Sequence, residues 1–183
     1  TTMAAAPKLA WAWEGGEAFD SSAAIVDGVV YVGTATGELI AVGLNDGKLR
    51  WRYKAGEAIG ESSPTVAGGR VFIGDLIGVV HAVNLADGRP AWTFKTQSEI
   101  KSSPVVAGEV LLMGSYDGKL YGLDVATGKQ VWTYATENYV HGTPCIVNGV
   151  AHFAGCDEIF HAVDVKTGKQ RVSTSATAYT GAS

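Results

Sequence analysis

The chain has 183 residues, 46% hydrophobic and 17% charged, a composition that supports one packed domain and excludes a disordered, highly charged segment. Its 18 acidic and 14 basic side chains give a net charge of −4 with no basic run, which argues against a nucleic-acid partner. No stretch approaches the ~20 apolar residues of a membrane-spanning helix, and the first residues lack the basic and apolar regions of a signal peptide.

In chain order, residues 8–16, "KLAWAWEGG", read as an unaccompanied outer strand bearing Trp11. Four units follow, at 21–54, 62–95, 102–135 and 142–175, and residues 178–183 look like the stub of another. Each unit opens on a small-residue anchor: Ser21-Ser22-Ala23, Ser62-Ser63-Pro64, Ser102-Ser103-Pro104 and Gly142-Thr143-Pro144. Two short β-branched runs then flank a tight turn. Asp27-Gly28, Gly68-Gly69 and Asn148-Gly149 suit the type I′ hairpin, which needs two positive φ values, and Gly108-Glu109 suits type II′. A second turn leads to a third apolar run, such as "LIAV" or "LYGL", and a third turn ends at Gly47, Gly88, Gly128 or Gly168, spaced 41, 40 and 40 residues apart. A last strand carries Trp51, Trp92 or Trp132, with Val172 in the fourth unit.

This period marks a repeat architecture. No segment keeps a 3.6-residue period over ten positions, so each unit is expected to be four antiparallel strands. A sheet of that size with apolar side chains on both faces must stack on a neighbour, which predicts an all-β fold, a β-propeller of four-stranded blades. With three strands missing before the Trp11 strand, the chain reads as part of a longer propeller, a partial ring with two uncovered end faces.

The turn and last strand read "AVGLNDGKLRW", "AVNLADGRPAW", "GLDVATGKQVW" and "AVDVKTGKQRV". These resemble the tryptophan-docking repeat of the pyrroloquinoline-quinone-like (PQQ-like) propeller family, Ala-x-Asp-x-x-Thr-Gly-x-x-x-Trp, over essentially the whole chain. Copy three departs at Gly122. Copies one and two have Gly43 and Asn84 for the aspartate, and Asp46 and Asp87 for the threonine; copy four lacks the tryptophan. The resemblance implies that Trp11, Trp51, Trp92 and Trp132 are structural docking residues covering the adjoining blade, and that a complete ring has eight blades. The absent tryptophan suggests that the Trp11 strand, from the same or a partner chain, competes to complete blade four.

The residues preceding the anchors, Asp20, Glu61, Lys101 and His141, with Gly181 in the stub, are expected at one mouth of the central channel as a mixed-charge set. His81 and His161 share one repeat position with Ile40 and Tyr121, which points to packing. Cys145 and Cys156, eleven apart, fit neither a metal nor a redox spacing and read as buried apolar side chains. No nucleophile-elbow, zinc-protease or phosphate-loop pattern occurs.

The family includes quinone-dependent dehydrogenases and the propeller lipoprotein of the outer-membrane assembly machinery. The dehydrogenases' adjacent-cysteine disulfide and acidic calcium ligands find no residue-by-residue match here. The expected function is therefore a non-catalytic scaffold or protein-binding module without a cofactor, in the periplasm or cell envelope. It is expected to be a homo-oligomer, a dimer completing an eight-bladed ring, the alternative being a chain that closes on itself as a four-bladed ring. The alternatives are a fragment of a PQQ-dependent dehydrogenase, which would bring PQQ with Ca, and a self-assembling half-propeller with no ligand.

Overall fold

The computed structural model describes residues 8–14 and 18–175. Among these, sixteen strands form four sheets, each antiparallel and ordered as in the chain. Blade 1 comprises β1 (Ala24–Val26), β2 (Val29–Gly33), β3 (Glu38–Gly43) and β4 (Leu49–Lys54). Blade 2 comprises β5 (Thr65–Ala67), β6 (Arg70–Gly74), β7 (Val79–Asn84) and β8 (Pro90–Lys95). Blade 3 comprises β9 (Val105–Ala107), β10 (Val110–Ser115), β11 (Lys119–Asp124) and β12 (Gln130–Ala135). Blade 4 comprises β13 (Cys145–Val147), β14 (Val150–Ala154), β15 (Ile159–Asp164) and β16 (Gln170–Ser175). The inner hairpins turn through positive φ at Asp27 (49°) and Gly28 (73°) and at Asn148 (51°) and Gly149 (76°), whereas in blade 3 Gly108 alone does so, at 61°.

The two middle strands of each inner blade are buried on both faces, which a single sheet cannot achieve and stacking can. Tyr31, Leu39 and Trp51 of blade 1 meet Val71, Ile73 and Val83 of blade 2. Phe72, Val80 and Ala82 meet Leu111, Met113 and Leu123 at the next junction, and Leu112, Leu120 and Trp132 meet Phe153, Val163 and Val165 at the third.

A bulge in the pairing of the third and fourth strands sets each tryptophan opposite a small residue: Ala41 faces Trp51, Ala82 faces Trp92 and Gly122 faces Trp132. The indole crosses over that residue toward the next blade. There Trp51 Nε1 donates to the Leu85 carbonyl at 2.9 Å, Trp92 to Val125 at 3.0 Å and Trp132 to Val165 at 2.9 Å. The rings lie on Gly88, Gly128 and Gly168, where a Cβ would come within 3 Å of the ring and where φ is about 70°. Asp124 and Asp164 hold these turns by accepting bonds from Thr127 and Thr167; in the first two blades, Asp46 and Asp87 accept instead from the amides of Lys48 and Arg89. Bonds from Arg171 and Thr167 hold the Asp164 carboxyl down to about 2.

At the blade 1 end the structure departs from the sequence expectation. Residues 8–14 form no strand, because no neighbouring strand offers a ladder of backbone partners there; Gly16 and the stub 178–183 lie outside the described residues. Trp11 does not reach blade 4 of its own chain. Its Nε1 donates to the Leu44 carbonyl at 2.6 Å and its ring lies on Gly47, the seat on blade 1 that corresponds to the other three. Trp13 and Phe19 meet edge-on, 6.3 Å apart, over Val30, Val32, Ile40 and Val42, leaving a cavity of about 200 Å³. One end face is thus lined by the chain's own aromatics, and the expectation of two bare faces does not hold. The other face is open: Phe160 is 45% exposed and Val172 53%, while Leu39, Val80 and Leu120, at the position of Phe160, are 0% exposed. Cys145, expected inside, is exposed for the same reason, because it lies on this outermost face; Cys156 is buried, and the two are not joined in a disulfide.

Polar groups are also keyed across the junctions. Tyr53 OH lies 3.0 Å from His81 Nδ1, and His81 Nε2 lies 3.1 Å from Asp75 Oδ2. Tyr134, His161 and Asp157 repeat the chain two junctions later, with 3.0 Å at both steps. Between them Tyr121 donates directly to Asp117 at 2.6 Å, with Phe94 edge-on to its ring. Burial first, and then the nearby carboxylates, raise the pKa values of Tyr53, Tyr121 and Tyr134, so each phenol keeps its proton and stays a donor. At the first of these junctions the Tyr53 hydroxyl donates to His81 Nδ1, which leaves Nε2–H to donate to Asp75; at the third the Tyr134 hydroxyl donates to Gln170 Oε1 at 2.9 Å.

Two outcomes are expected. Trp92→Ala should destabilise the fold by about 3–5 kcal/mol in denaturant titrations, through the cavity it leaves, whereas Val172→Ala on the open face should change stability by less than about 0.5 kcal/mol in the isolated subunit. Because the folded phenols hold their protons more tightly than unfolded ones, their stabilisation is complete below about pH 10 and is lost as pH rises beyond it. Denaturation midpoints should therefore fall between pH 9 and pH 11, and less steeply in Tyr121→Phe.

Candidate functional site

The anchors run along the inner edge of the stack, where each blade presents one hydroxyl. Ser22 N donates to Ser63 Oγ, Ser63 N to Ser103 Oγ and Ser103 N to Thr143 Oγ1, each at 3.0 Å. Every bond joins one blade to the next. Ser62 and Ser102, one residue earlier, turn inward and accept from the amides of Gly74 and Gly114, which ties the anchor to its own second strand.

This ladder fixes the residues just before it. Asp20, Glu61, Lys101 and His141 line one cavity of about 270 Å³ with the four ladder residues as its floor. Glu61 is its centre: the carboxylate lies 3.7 Å from Lys101 Nζ and 3.3 Å from His141 Nε2. Tyr116 OH lies 2.6 Å from His141 Nδ1, and Lys101 Nζ stands 5.1 Å above the Tyr116 ring. Burial, with Lys101 opposing it, raises the Tyr116 pKa, so the phenol keeps its proton and donates to Nδ1 while Nε2–H faces Glu61. Lys101 is shared with a second, more open cavity of about 360 Å³, lined also by Ser98, Glu99, Tyr116 and Tyr139. Gly181 lies outside the described residues.

The mouth is thus a hydroxyl-floored surface whose central carboxylate, Glu61, is matched by Lys101 and His141. It suits hydrogen-bonded contact with a polar loop better than proton transfer, since its one histidine has both ring nitrogens engaged. Among the described residues, no group of three or more His, Cys, Asp or Glu side chains is placed to hold a metal ion. A planar, tricarboxylated quinone with calcium would need several free cations and an acidic ligand set. The mouth offers Lys101, already paired with Glu61, so the residues present do not fit that group.

Trp11, Trp51, Trp92 and Trp132 lie apart from this mouth, at the outer strands, each bonded to the blade that follows. The Tyr116 phenol and the aspartates behind His81 and His161 were not read from the sequence. Asp75 and Asp157 occupy different repeat positions, one at the start of the second turn and one within it, so the repeat alignment hides their common task.

The family described as outer membrane protein assembly factor BamB matches residues 4–100 and 76–182. No curated protein sequence matches the chain. Among solved structures, BamB from Moraxella catarrhalis is 22% identical with a TM-score of 0.80, over 92% of this chain and 56% of that one. The quinohemoprotein alcohol dehydrogenase ADHIIG from Pseudomonas putida HK5 is 17% identical with a TM-score of 0.77, over 87% of this chain and 34% of that one. The computationally designed Ika4 protein is 15% identical with a TM-score of 0.71, over 93% of this chain and 99% of that one. The chain therefore spans about half or less of these two natural proteins. With both matched stretches together covering nearly all of it, the chain belongs to the PQQ-like β-propeller family of the BamB type.

Proposed function

We propose that this chain is a non-catalytic propeller scaffold that binds protein partners in the periplasm or cell envelope, needs no cofactor, and closes its ring as a homodimer of eight blades. The observation that carries the reading is the channel mouth: four side chains from successive repeats line it, and Glu61 lies against both Lys101 and His141. A matched, hydroxyl-floored surface of this kind recognises a complementary polar segment by hydrogen bonds and shape. The family relation to an outer-membrane assembly factor supports an envelope setting and a protein partner. The open face of blade 4 supports assembly, because an apolar sheet face seeks cover. The indoles, seated on successive blades, act as the docking tryptophans that make the stack rigid enough to present such a surface.

The chain is expected to show by light scattering about twice the 19.0 kDa mass of one subunit, and to bind envelope-protein peptides saturably without turnover. Quinone absorbance and dye reduction on adding PQQ with calcium would overturn the non-catalytic assignment, and a single-subunit mass at high concentration would overturn the dimer.

A further inference from the structure

Resting on that homodimeric reading, the structure points to how the ring closes: we propose that residues 8–14 of one copy replace β16 as the outer strand of blade 4 in a second copy, supplying through Trp11 and Trp13 the aromatics that β16 lacks.

Aligned on the tryptophans, every outer strand but one bears an aromatic pair two residues apart: Trp51 and Tyr53, Trp92 and Phe94, Trp132 and Tyr134. β16 has Val172 and Thr174 in these places, while residues 8–14 have Trp11 and Trp13. β16 is exposed along its whole length, unlike β4, β8 and β12, whose tryptophans are largely sunk in the next junction. Blade 4 nevertheless keeps the seat for an indole. Ala162 stands opposite Val172 across the same bulge that sets Ala41, Ala82 and Gly122 opposite their tryptophans. A small residue is required there only if a large ring must cross it, as the ring of Trp132 crosses Gly122.

The other half of the junction is already made. Trp11 occupies the seat on blade 1, bonded to the Leu44 carbonyl, in the place an outer strand of a preceding blade would put its indole. Trp13 lies over Ile40, the position at which Tyr53 meets His81 and Tyr134 meets His161 in the later junctions. Residues 8–14 are thus laid out as a fourth strand that has no third strand beside it, and β15 of a second copy is the strand that fits. The inner edge has matching ends as well. Thr143 has an amide at the place where Ser22, Ser63 and Ser103 each donate to the next hydroxyl, and among the described residues the Ser22 hydroxyl receives no such bond. Joining blade 4 of one copy to blade 1 of the other repeats a junction the chain already makes three times. Done twice, it closes a head-to-tail ring.

In the exchanged pairing Glu14 takes the place of Ser175 opposite Ile159, within reach of a disulfide between facing strands. Glu14→Cys with Ile159→Cys, in a Cys145→Ser background to remove the exposed thiol, is expected to give a covalent dimer on mild oxidation, and neither single variant should. Separately, Trp11→Ala should raise the dimer dissociation constant by roughly tenfold or more, measured by sedimentation. Val172→Trp alone should also weaken the dimer, since two indoles then contend for one seat. The double variant W11A/V172W should recover to within a few-fold of the parent, which a merely unfolded variant would not. A stable dimer without the cross-link and without this mutual rescue would overturn the strand exchange while leaving the dimer intact. A chain that stays a single subunit at all concentrations would overturn the dimeric reading itself.

Discussion

The contact on which the molecule depends is an indole laid across the turn of the next blade. It ties together positions that are remote in sequence: a small residue opposite the tryptophan, a bulge that lets the ring lean out, a glycine of positive φ that admits the ring, and a carbonyl that takes its proton. Losing any one of the four removes the seat, so the repeat is a record of this contact more than of strand-forming preference. A blade of this size buries too little surface by itself, and its stability belongs to the junctions.

That dependence explains why the chemically suggestive residues are so quiet. The histidines that share one repeat position are sunk between sheets with both ring nitrogens occupied, and they act as polar keys that hold neighbouring blades in register. The residues that do reach solvent together are those at the channel mouth. They come from four blades, and their positions are only as fixed as the stack behind them. A surface assembled in this way keeps its geometry while its side chains change, which suits a fold whose relatives range from an assembly factor to dehydrogenases.

Much of this was legible in the chain. The pairs Asp27-Gly28 and Asn148-Gly149 announce their turns because few residues tolerate two successive positive φ values, and the glycines before the tryptophans announce theirs by spacing. The convergence of Asp20, Glu61, Lys101 and His141 followed from alignment, since equivalent residues of stacked units share one edge. What the chain concealed were contacts that break the repeat. Asp75 and Asp157 serve equivalent histidines from positions two residues out of step. Residues 8–14 carry the pattern of a strand without the neighbour that would make them one. Cys145 has the surroundings of a core residue only when another blade lies on it.

The aromatic lining of blade 1 also bears on how the protein is made. Residues 8–14 leave the ribosome ahead of blade 1, so the rear of that blade can be shielded as soon as it forms. Each later blade then emerges beside a finished surface that already offers its tryptophan. Over these four blades growth proceeds in one direction, with one unsatisfied front that moves outward blade by blade. A shielded rear leaves this stretch of nascent chain one adhesive face at a time, which limits tangling with its neighbours on the same message.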